Sequence, residues 1–402
     1  MLPVFGAGNN RIMSSVAYYE RKMRMDKMKV AVVGCGAISN IYLKNLIHRF
    51  QITEVVGCCD KNEQNAQEKA EKYGISQLTL NEILMDPEIQ VVVNLTPPVA
   101  HYEIIKKALE AGKHVYTEKV LEYNLDRALE LKKLAEEKNL RLACAPDTFL
   151  GAAVQNSRKA VEQGLAGRIT SCHVAVNRGL GHLYSIMPNT TLPGGGIGFD
   201  VGIYYITALV SIFGPVDFVT GMVDTNQAKR MGEDPQKDNF QKEIEVQNEN
   251  LMMACLKFEN GMYATMHFNG DSIWPEQPLM IAYGTEGILE LPNPDHFDET
   301  PILIKKGSVH SDNRITLPGN YGYTGNSRGI GVAELCWAIK NNRSHRANAE
   351  MACHAVEILT GIVKSSESGN CYKMKTTFEK LPGLPEGYQD DYLMRNPEIA
   401  LM

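Results

Sequence analysis

A short apolar run that ends in a glycine turn and passes straight into a helix constrains this chain more than any other stretch. It reads MKVAVVGCGAISNIYLKNL, residues 28–46. Residues 28–33 have the continuous apolar character of a buried strand. Gly34-Cys35-Gly36 is a tight turn. Residues 37–46 follow as a helix, with Ile38, Ile41, Tyr42 and Leu46 at helical spacing. Gly34 takes turn dihedrals that other residues resist. Gly36 has no side chain, so a pyrophosphate can approach its backbone. The helix start behind it offers unpaired N–H groups and a partial positive charge. Strand, turn and helix in this order make G-x-G-x-x-[small] meaningful, and they predict a dinucleotide site with Ala37, Ile38 and Ser39 at its phosphate end. Ser39 stands where Gly or Ala is usual. A second strand over 54–59 ends in Asp60, where a carboxylate accepts hydrogen bonds from ribose hydroxyls and repels a 2′-phosphate. That favours NAD over NADP. Lys61 softens the preference, so NADP is not excluded. The bland alternative is a βαβ unit with a glycine-rich turn and no ligand.

At 402 residues the chain has room for two domains with substantial cores. A net charge of −6 argues against a nucleic-acid surface. Nine cysteines, without a C-x-x-C, fit a reduced cytoplasmic protein better than a disulfide or zinc scaffold. No apolar run reaches membrane length, and no secretory signal is expected. Residues 1–27 contain several possible start methionines and read as a leader, or as an arm that packs on a neighbouring subunit. The ten histidines are scattered without ligand spacing, so no metal site is expected.

Beyond Asp60, helices expected over 62–73, from Thr79, over 101–111 and over 125–138 alternate with strands over 91–95, 114–117 and 140–144. This alternation predicts an α/β fold with a doubly wound parallel sheet, whose ligands sit at the carboxyl ends of the strands. Leu95-Thr96-Pro97-Pro98, Glu118-Lys119 and Ala145-Pro146-Asp147 fall at such ends. From about residue 147 the texture changes. A helix over 154–163 leads to longer β segments over 169–176, 216–223, 244–258, 262–270, 279–283 and 288–291. A charged surface loop is expected over 227–242, and helices over 331–340 and 350–364 follow. The expected division is a dinucleotide-binding Rossmann domain over 28–147, then an α/β domain over 148–402 with a large open, mainly antiparallel sheet. Such a sheet often pairs across a dimer.

Two places can carry chemistry. Lys119 stands at a strand end where the nicotinamide would lie, and burial that lowers its pKa would let it shuttle a proton. Taken alone, a solvated lysine is the simpler reading. Gly194-Gly195-Gly196-Ile197-Gly198 lets a loop pass close to a ligand. In the helix expected after it, Asp200 and Tyr204 share a face at i and i+4. Tyr204 exchanges protons if a nearby cation such as Lys119 lowers its pKa. The alternative makes Asp200 a helix cap and Tyr204 a core residue.

Together these motifs resemble the Gfo/Idh/MocA family, the group of glucose–fructose oxidoreductase and inositol dehydrogenase. The resemblance rests on VAVVGCGAIS over 30–39, the L-T-P-P-x-x-H run from Leu95 to His101, Glu118-Lys119, the P-D-T-F-L-G run from Pro146 to Gly151, the D-x-G-x-Y segment from Asp200 to Tyr204, and Gly284-Thr285-Glu286-Gly287. It covers nearly everything from Met28 onward. It implies hydride transfer between nicotinamide and a carbinol or carbonyl carbon of a sugar, polyol or glycoside. It also implies a homo-oligomer formed through the C-terminal sheet. Lys119 matches the family's reacting-centre lysine. Asp200 matches its aspartate. Tyr204 replaces its histidine, as in the branch near glucose–fructose oxidoreductase. Val120 replaces the proline that usually follows the lysine, so Lys119 can be placed differently.

Tyr204 is then the first candidate for proton transfer, with Lys119 tuning it and Asp200 holding one of the two. Thr96, Pro97 and His101 would line the cofactor, and Glu118 the nicotinamide ribose. Asn177, Arg178 and His182 would shape a sugar pocket; an exposed loop histidine is the simpler reading of His182. The enzyme would oxidise a ring hydroxyl, such as the 3-hydroxyl of a glucoside, or reduce a keto-sugar. The competing readings are a non-enzymatic dinucleotide sensor and an enzyme whose NAD stays bound and is recycled in place.

Overall fold

The computed structural model describes residues 27–272, 279–307 and 313–388. The expected leader lies outside them, Lys27 excepted.

The first half alternates without a break: β1 (Met28–Val33), α1 (Ser39–His48), β2 (Thr53–Cys59), α2 (Glu63–Tyr73), β3 (Ser76–Gln77), α3 (Leu80–Met85), β4 (Val91–Asn94), α4 (His101–Glu110), β5 (His114–Thr117), α5 (Leu125–Glu137) and β6 (Leu142–Cys144). The strands lie in the order β3-β2-β1-β4-β5-β6, and every pairing is parallel. Local chemistry sets the helix ends. Asn62 caps α2, and Gly74 closes it in the left-handed region. Thr79 and Glu82 form a reciprocal capping box at α3. Alternate residues of β1 feed opposite layers. Val30 and Val32 pack with Tyr42, Leu43 and Leu46, whereas Ala31 and Val33 pack with Ile105, Leu109 and Leu131. Both faces are therefore buried, as the continuous apolar strands require.

The second half continues with α6 (Ala152–Glu162), β7 (Ile169–Asn177), α7 (Gly181–Ile186), a π-helical turn (Gly198–Gly202) and α8 (Ile203–Phe213). Then come β8 (Val216–Asp224), β9 (Lys229–Met231), β10 (Glu243–Glu245), β11 (Leu251–Phe258), β12 (Tyr263–Asn269), β13 (Leu279–Gly284), β14 (Gly287–Glu290), β15 (Ile302–Lys305), β16 (Arg314–Thr316), α9 (Ile330–Lys340), α10 (Ala349–Ser368) and β17 (Tyr372–Lys373). Nine strands form one sheet in the order β16-β15-β14-β13-β7-β12-β11-β8-β17. Only β7 and β12 pair in parallel within it. Along β11, Met252, Ala254, Leu256 and Phe258 point into the core. Met253, Cys255 and Lys257 point out. The outer face carries apolar side chains, including Met222 (77% exposed), Met253, Tyr263 and Leu279.

The chain end returns to the first sheet. The Cys144 N–H donates to the Ala347 carbonyl at 2.9 Å, and Ala349 and Cys353 join the layer beneath that sheet. Among the described residues no helix is long and apolar enough to cross a membrane.

One expected strand is corrected. The segment 244–258 is two strands, because buried Asn248 and Asn250 interrupt it. Asn248 Nδ2 donates to the Thr190 and Leu192 carbonyls, and Asn250 Oδ1 accepts from the Asn226 N–H. The expected loop over 227–242 contains β9, which pairs with β10, and Arg230 turns inward to an ion pair with Asp271.

Candidate active site

The glycine turn packs directly on the loop after β4. Gly34 has φ +101°, and a Cβ there would lie 2.7 Å from the Leu95 carbonyl carbon. Only glycine fits. A Cβ on Gly36 would meet nothing within 4 Å, so the turn is open on the side where a phosphate would approach. The amides of Gly36, Ala37 and Ile38 donate no hydrogen bond among the described residues, and no side chain caps α1. These free donors at a helix N-terminus fit a dinucleotide pyrophosphate. Ser39 has a local job: its hydroxyl donates back to the Gly36 carbonyl at 2.6 Å. Asp60 fastens the turn, accepting from the Cys35 N–H at 2.7 Å and from the Asn62 N–H at 2.8 Å. Lys61 beside it is exposed.

Thr96 and Pro97 follow the carboxyl end of β4, the sheet neighbour of β1, with Thr96 half-buried and Pro97 exposed. Sequence reasoning missed Asn94, which is fully buried. Its Oδ1 accepts from Thr96 Oγ1 at 2.7 Å, and its Nδ2 donates to Thr117 Oγ1 at 3.0 Å, tying the ends of β4 and β5 together. His101 is fully buried rather than facing the crevice. Its two ring nitrogens lie 2.6 Å from the Val120 carbonyl oxygen and 2.8 Å from that of Thr96. Burial holds its pKa below the ordinary range, against the pull of those two carbonyls. Glu118 is also turned inward. It accepts from Tyr42 Oη at 2.7 Å and from the Lys119 N–H at 2.9 Å, so it orients the strand end that carries Lys119.

Lys119, Asp200 and Tyr204 come together. Lys119 Nζ lies 2.5 Å from Asp200 Oδ1 and 2.7 Å from the Asp200 carbonyl oxygen. It sits 5.4 Å from the centre of the Tyr204 ring. The π-helical turn before α8 holds this arrangement, and no side-chain cap forms at its start. The glycines before it serve close packing within the protein. A Cβ on Gly196 would lie 2.3 Å from the Glu249 carbonyl oxygen.

Two electrostatic expectations are corrected. Burial pushes the Lys119 ammonium down, but Asp200 and Tyr204 lift it above its ordinary range, so the lysine stays charged. Burial raises the Tyr204 phenol by more than Lys119 and Arg328 lower it, with Glu118 and Asp295 adding to the rise.

The three expected pocket residues part company. The Arg178 guanidinium lies 3.5 Å from Asp295, which also pairs with Arg328 at 2.7 Å. Arg328 stands 5.9 Å from the Tyr204 ring, so Arg178 connects to the cluster through two salt bridges. Asn177 accepts from Asn269 where β7 and β12 end in the middle of the sheet, and His182 is exposed on α7. Asp295 and Arg328 were invisible in the sequence: they sit in irregular loops with no motif around them. Among the described residues, no three His, Cys, Asp or Glu side chains gather as metal ligands.

Residues 28–145 match the sequence model of the oxidoreductase family with an NAD-binding Rossmann fold, and residues 154–290 match the GFO/IDH/MocA C-terminal domain. The chain belongs to the Gfo/Idh/MocA family. An uncharacterised oxidoreductase of Schizosaccharomyces pombe is 31% identical over 211 residues, 50% of this chain and 56% of the relative. The chain thus spans little more than half the length of that relative. A D-glucoside 3-dehydrogenase of Escherichia coli is 25% identical over 277 residues, 67% of this chain and 75% of the relative. The structure of levoglucosan dehydrogenase in complex with NADH and levoglucosan superposes with a TM-score of 0.74 at 20% identity, covering 87% of this chain and 100% of that one. That likeness is one of fold.

Proposed function

We propose that this chain is an NAD-dependent dehydrogenase of a sugar, polyol or glycoside, with Lys119, Asp200 and Tyr204 as its catalytic residues. The meeting of these three side chains at the carboxyl end of β5, in the same parallel sheet whose β1 runs into the glycine turn, carries the reading. Gly34, Gly36, Ala37, Ile38 and Ser39 would hold the pyrophosphate. Asp60 would hold the adenosine ribose, with Lys61 at its edge, and Thr96 and Pro97 would line the nicotinamide half. NAD, when bound, supplies the hydride acceptor.

The residues then divide the work. Tyr204 takes the proton of the substrate hydroxyl. Lys119, held in the charged state by Asp200, stabilises the negative charge on either oxygen. His101 and Glu118 set the loops from behind. Arg178 faces the substrate side, joined to the cluster through Asp295. In this reading residues 28–147 bind the dinucleotide, and residues 148–402 bind substrate and mediate oligomerisation. The apolar outer face of the nine-stranded sheet supports pairing with a second copy. A glucoside 3-hydroxyl is the first substrate to try, given the Escherichia coli relative.

The test is NADH absorbance during incubation with NAD and a panel of free sugars, polyols and glycosides. Signal from one class, lost in both Tyr204→Phe and Lys119→Ala, supports the reading. Signal that survives both variants removes the site assignment. NAD retained on the protein without net NADH favours recycling of a bound cofactor.

A further inference from the structure

Arg328 lies beyond the last residue matched by the family's C-terminal domain and belongs to none of the recognised motifs. Its side chain is nevertheless only 15% exposed and pairs with Asp295 at 2.7 Å. Its guanidinium carbon stands over the Tyr204 ring, 5.9 Å from the ring centre. The backbone that carries it is clamped from two sides. Asn45 Nδ2, on the dinucleotide helix α1, donates to the Asn326 carbonyl at 2.9 Å and the Arg328 carbonyl at 2.8 Å. Arg49 of the same chain region donates to the Thr324 carbonyl. On the other side, Asp147 accepts from the Gly329 and Gly331 N–H groups. So many fixed contacts are unusual for a surface arginine, and they aim one cation at one phenol.

The charged groups facing Tyr204 are Lys119 and Glu118 from the end of β5, and Asp295 and Arg328 from the loops before α9. Both carboxylates are already engaged: Glu118 with Tyr42 and the Lys119 amide, Asp295 with Arg328 and Arg178. Lys119 and Arg328 are the cations that oppose them at the phenol, Lys119 the more strongly.

Resting on the reading of Tyr204 as the proton-transfer group, we propose that Arg328 is its positioning residue: the guanidinium, held over the Tyr204 ring, stabilises the negative charge of the phenolate. In substrate oxidation the hydroxyl proton passes to the phenolate oxygen, and the phenol so formed returns it to water. No other bond changes at Tyr204 or Arg328. The clamp on α1 adds a consequence. The dinucleotide helix and the arginine that tunes Tyr204 move as one piece, so cofactor and proton acceptor are held in mutual register.

The test is a titration of Tyr204 in the full chain labelled with [13Cζ]tyrosine, its resonance identified as the one missing in Tyr204→Phe. In Arg328→Gln the titration midpoint rises by about 1 unit, and in Arg328→Lys, which keeps the charge but loses the planar fork, it rises less. The rising limb of the oxidation pH profile shifts with it in both variants. An unchanged Tyr204 midpoint in Arg328→Gln and Arg328→Lys overturns the proposal while leaving Tyr204 as the proton acceptor. Full activity of Tyr204→Phe, whatever the midpoint does, overturns the underlying role of Tyr204 instead. The lysine variant keeps the test open should the glutamine variant fail to fold.

Discussion

Lys119 Nζ lies 2.5 Å from a carboxylate oxygen of Asp200 and 2.7 Å from that residue's carbonyl oxygen. One ammonium thus ties the end of the parallel sheet to the π-helical turn that begins α8. The two side chains are only 18% and 20% exposed, so removing one partner costs more than at a surface salt bridge, because the other charge is left buried and unpaired.

Asp200→Asn leaves the Lys119 ammonium buried without its carboxylate. Stability at pH 7 falls by about 3 kcal/mol, and burial then outweighs the remaining pull of Tyr204 and Glu118, bringing the lysine's pKa below the unfolded value. A base depressed in the folded state binds more protons when unfolded, so the loss shrinks as pH rises from 7 toward 10. Urea unfolding of both proteins across that range checks this. A deficit that stays constant with pH contradicts it.

The pH profile of turnover follows from Tyr204, whose phenol burial holds above its ordinary value despite Lys119 and Arg328. Oxidation needs the phenolate, so its rate rises ~10-fold per pH unit through the neutral range and levels only in the alkaline range. Reduction needs the phenol and declines there. Initial rates in both directions between pH 6 and 11 test the sign.

Gly34→Ala places a methyl group 2.7 Å from the Leu95 carbonyl carbon in a backbone with φ +101°. The substitution costs about 2 kcal/mol or more, and displacing the turn weakens NAD binding by at least ~10-fold. Calorimetric titration with NAD and thermal unfolding read the two effects separately. Gly36→Ala meets no protein atom within 4 Å, so it should weaken NAD binding with little change in stability.

Asp147 is buried beneath the Arg328 loop, and burial pushes its carboxyl up to about 6, against the Gly331 and Gly329 N–H groups and Arg328. An acid raised in the folded state holds its proton more tightly there than in the unfolded chain. Its contribution is therefore greatest at low pH and is lost as pH rises from about 4 through 6. Asp147→Asn lacks that titration, so its stability relative to the parent improves by up to about 3 kcal/mol between pH 4 and 7. A parallel pH dependence of the two proteins refutes the assignment.

Met253 and Tyr263 stand on neighbouring strands of the apolar outer face. If that face pairs with a second copy, Met253→Glu with Tyr263→Glu places two charges in the contact and lowers the mass seen by light scattering to that of one chain. An unchanged mass directs the search for the interface elsewhere.

The sequence by itself determined the parallel sheet and the glycine turn. Both are local: apolar runs bounded by Gly74, the Thr79–Glu82 capping box and Pro97 specify strand and helix over a few residues each. It also marked Lys119, Asp200 and Tyr204 as candidates, because motif spacing carries them. Tertiary structure decided everything that depends on chain segments meeting from afar. Asn248 breaks a strand because its amide finds the Thr190 and Leu192 carbonyls. His101 and Glu118 turn inward because acceptors and donors wait for them there. The charge state of Lys119 depends on a carboxylate 81 residues away in the chain, and Arg328 reaches Tyr204 from a loop without pattern. Periodicity records which face of an element is buried. It holds no record of which distant polar group completes a hydrogen bond or fixes a charge, and those partners shape the candidate site.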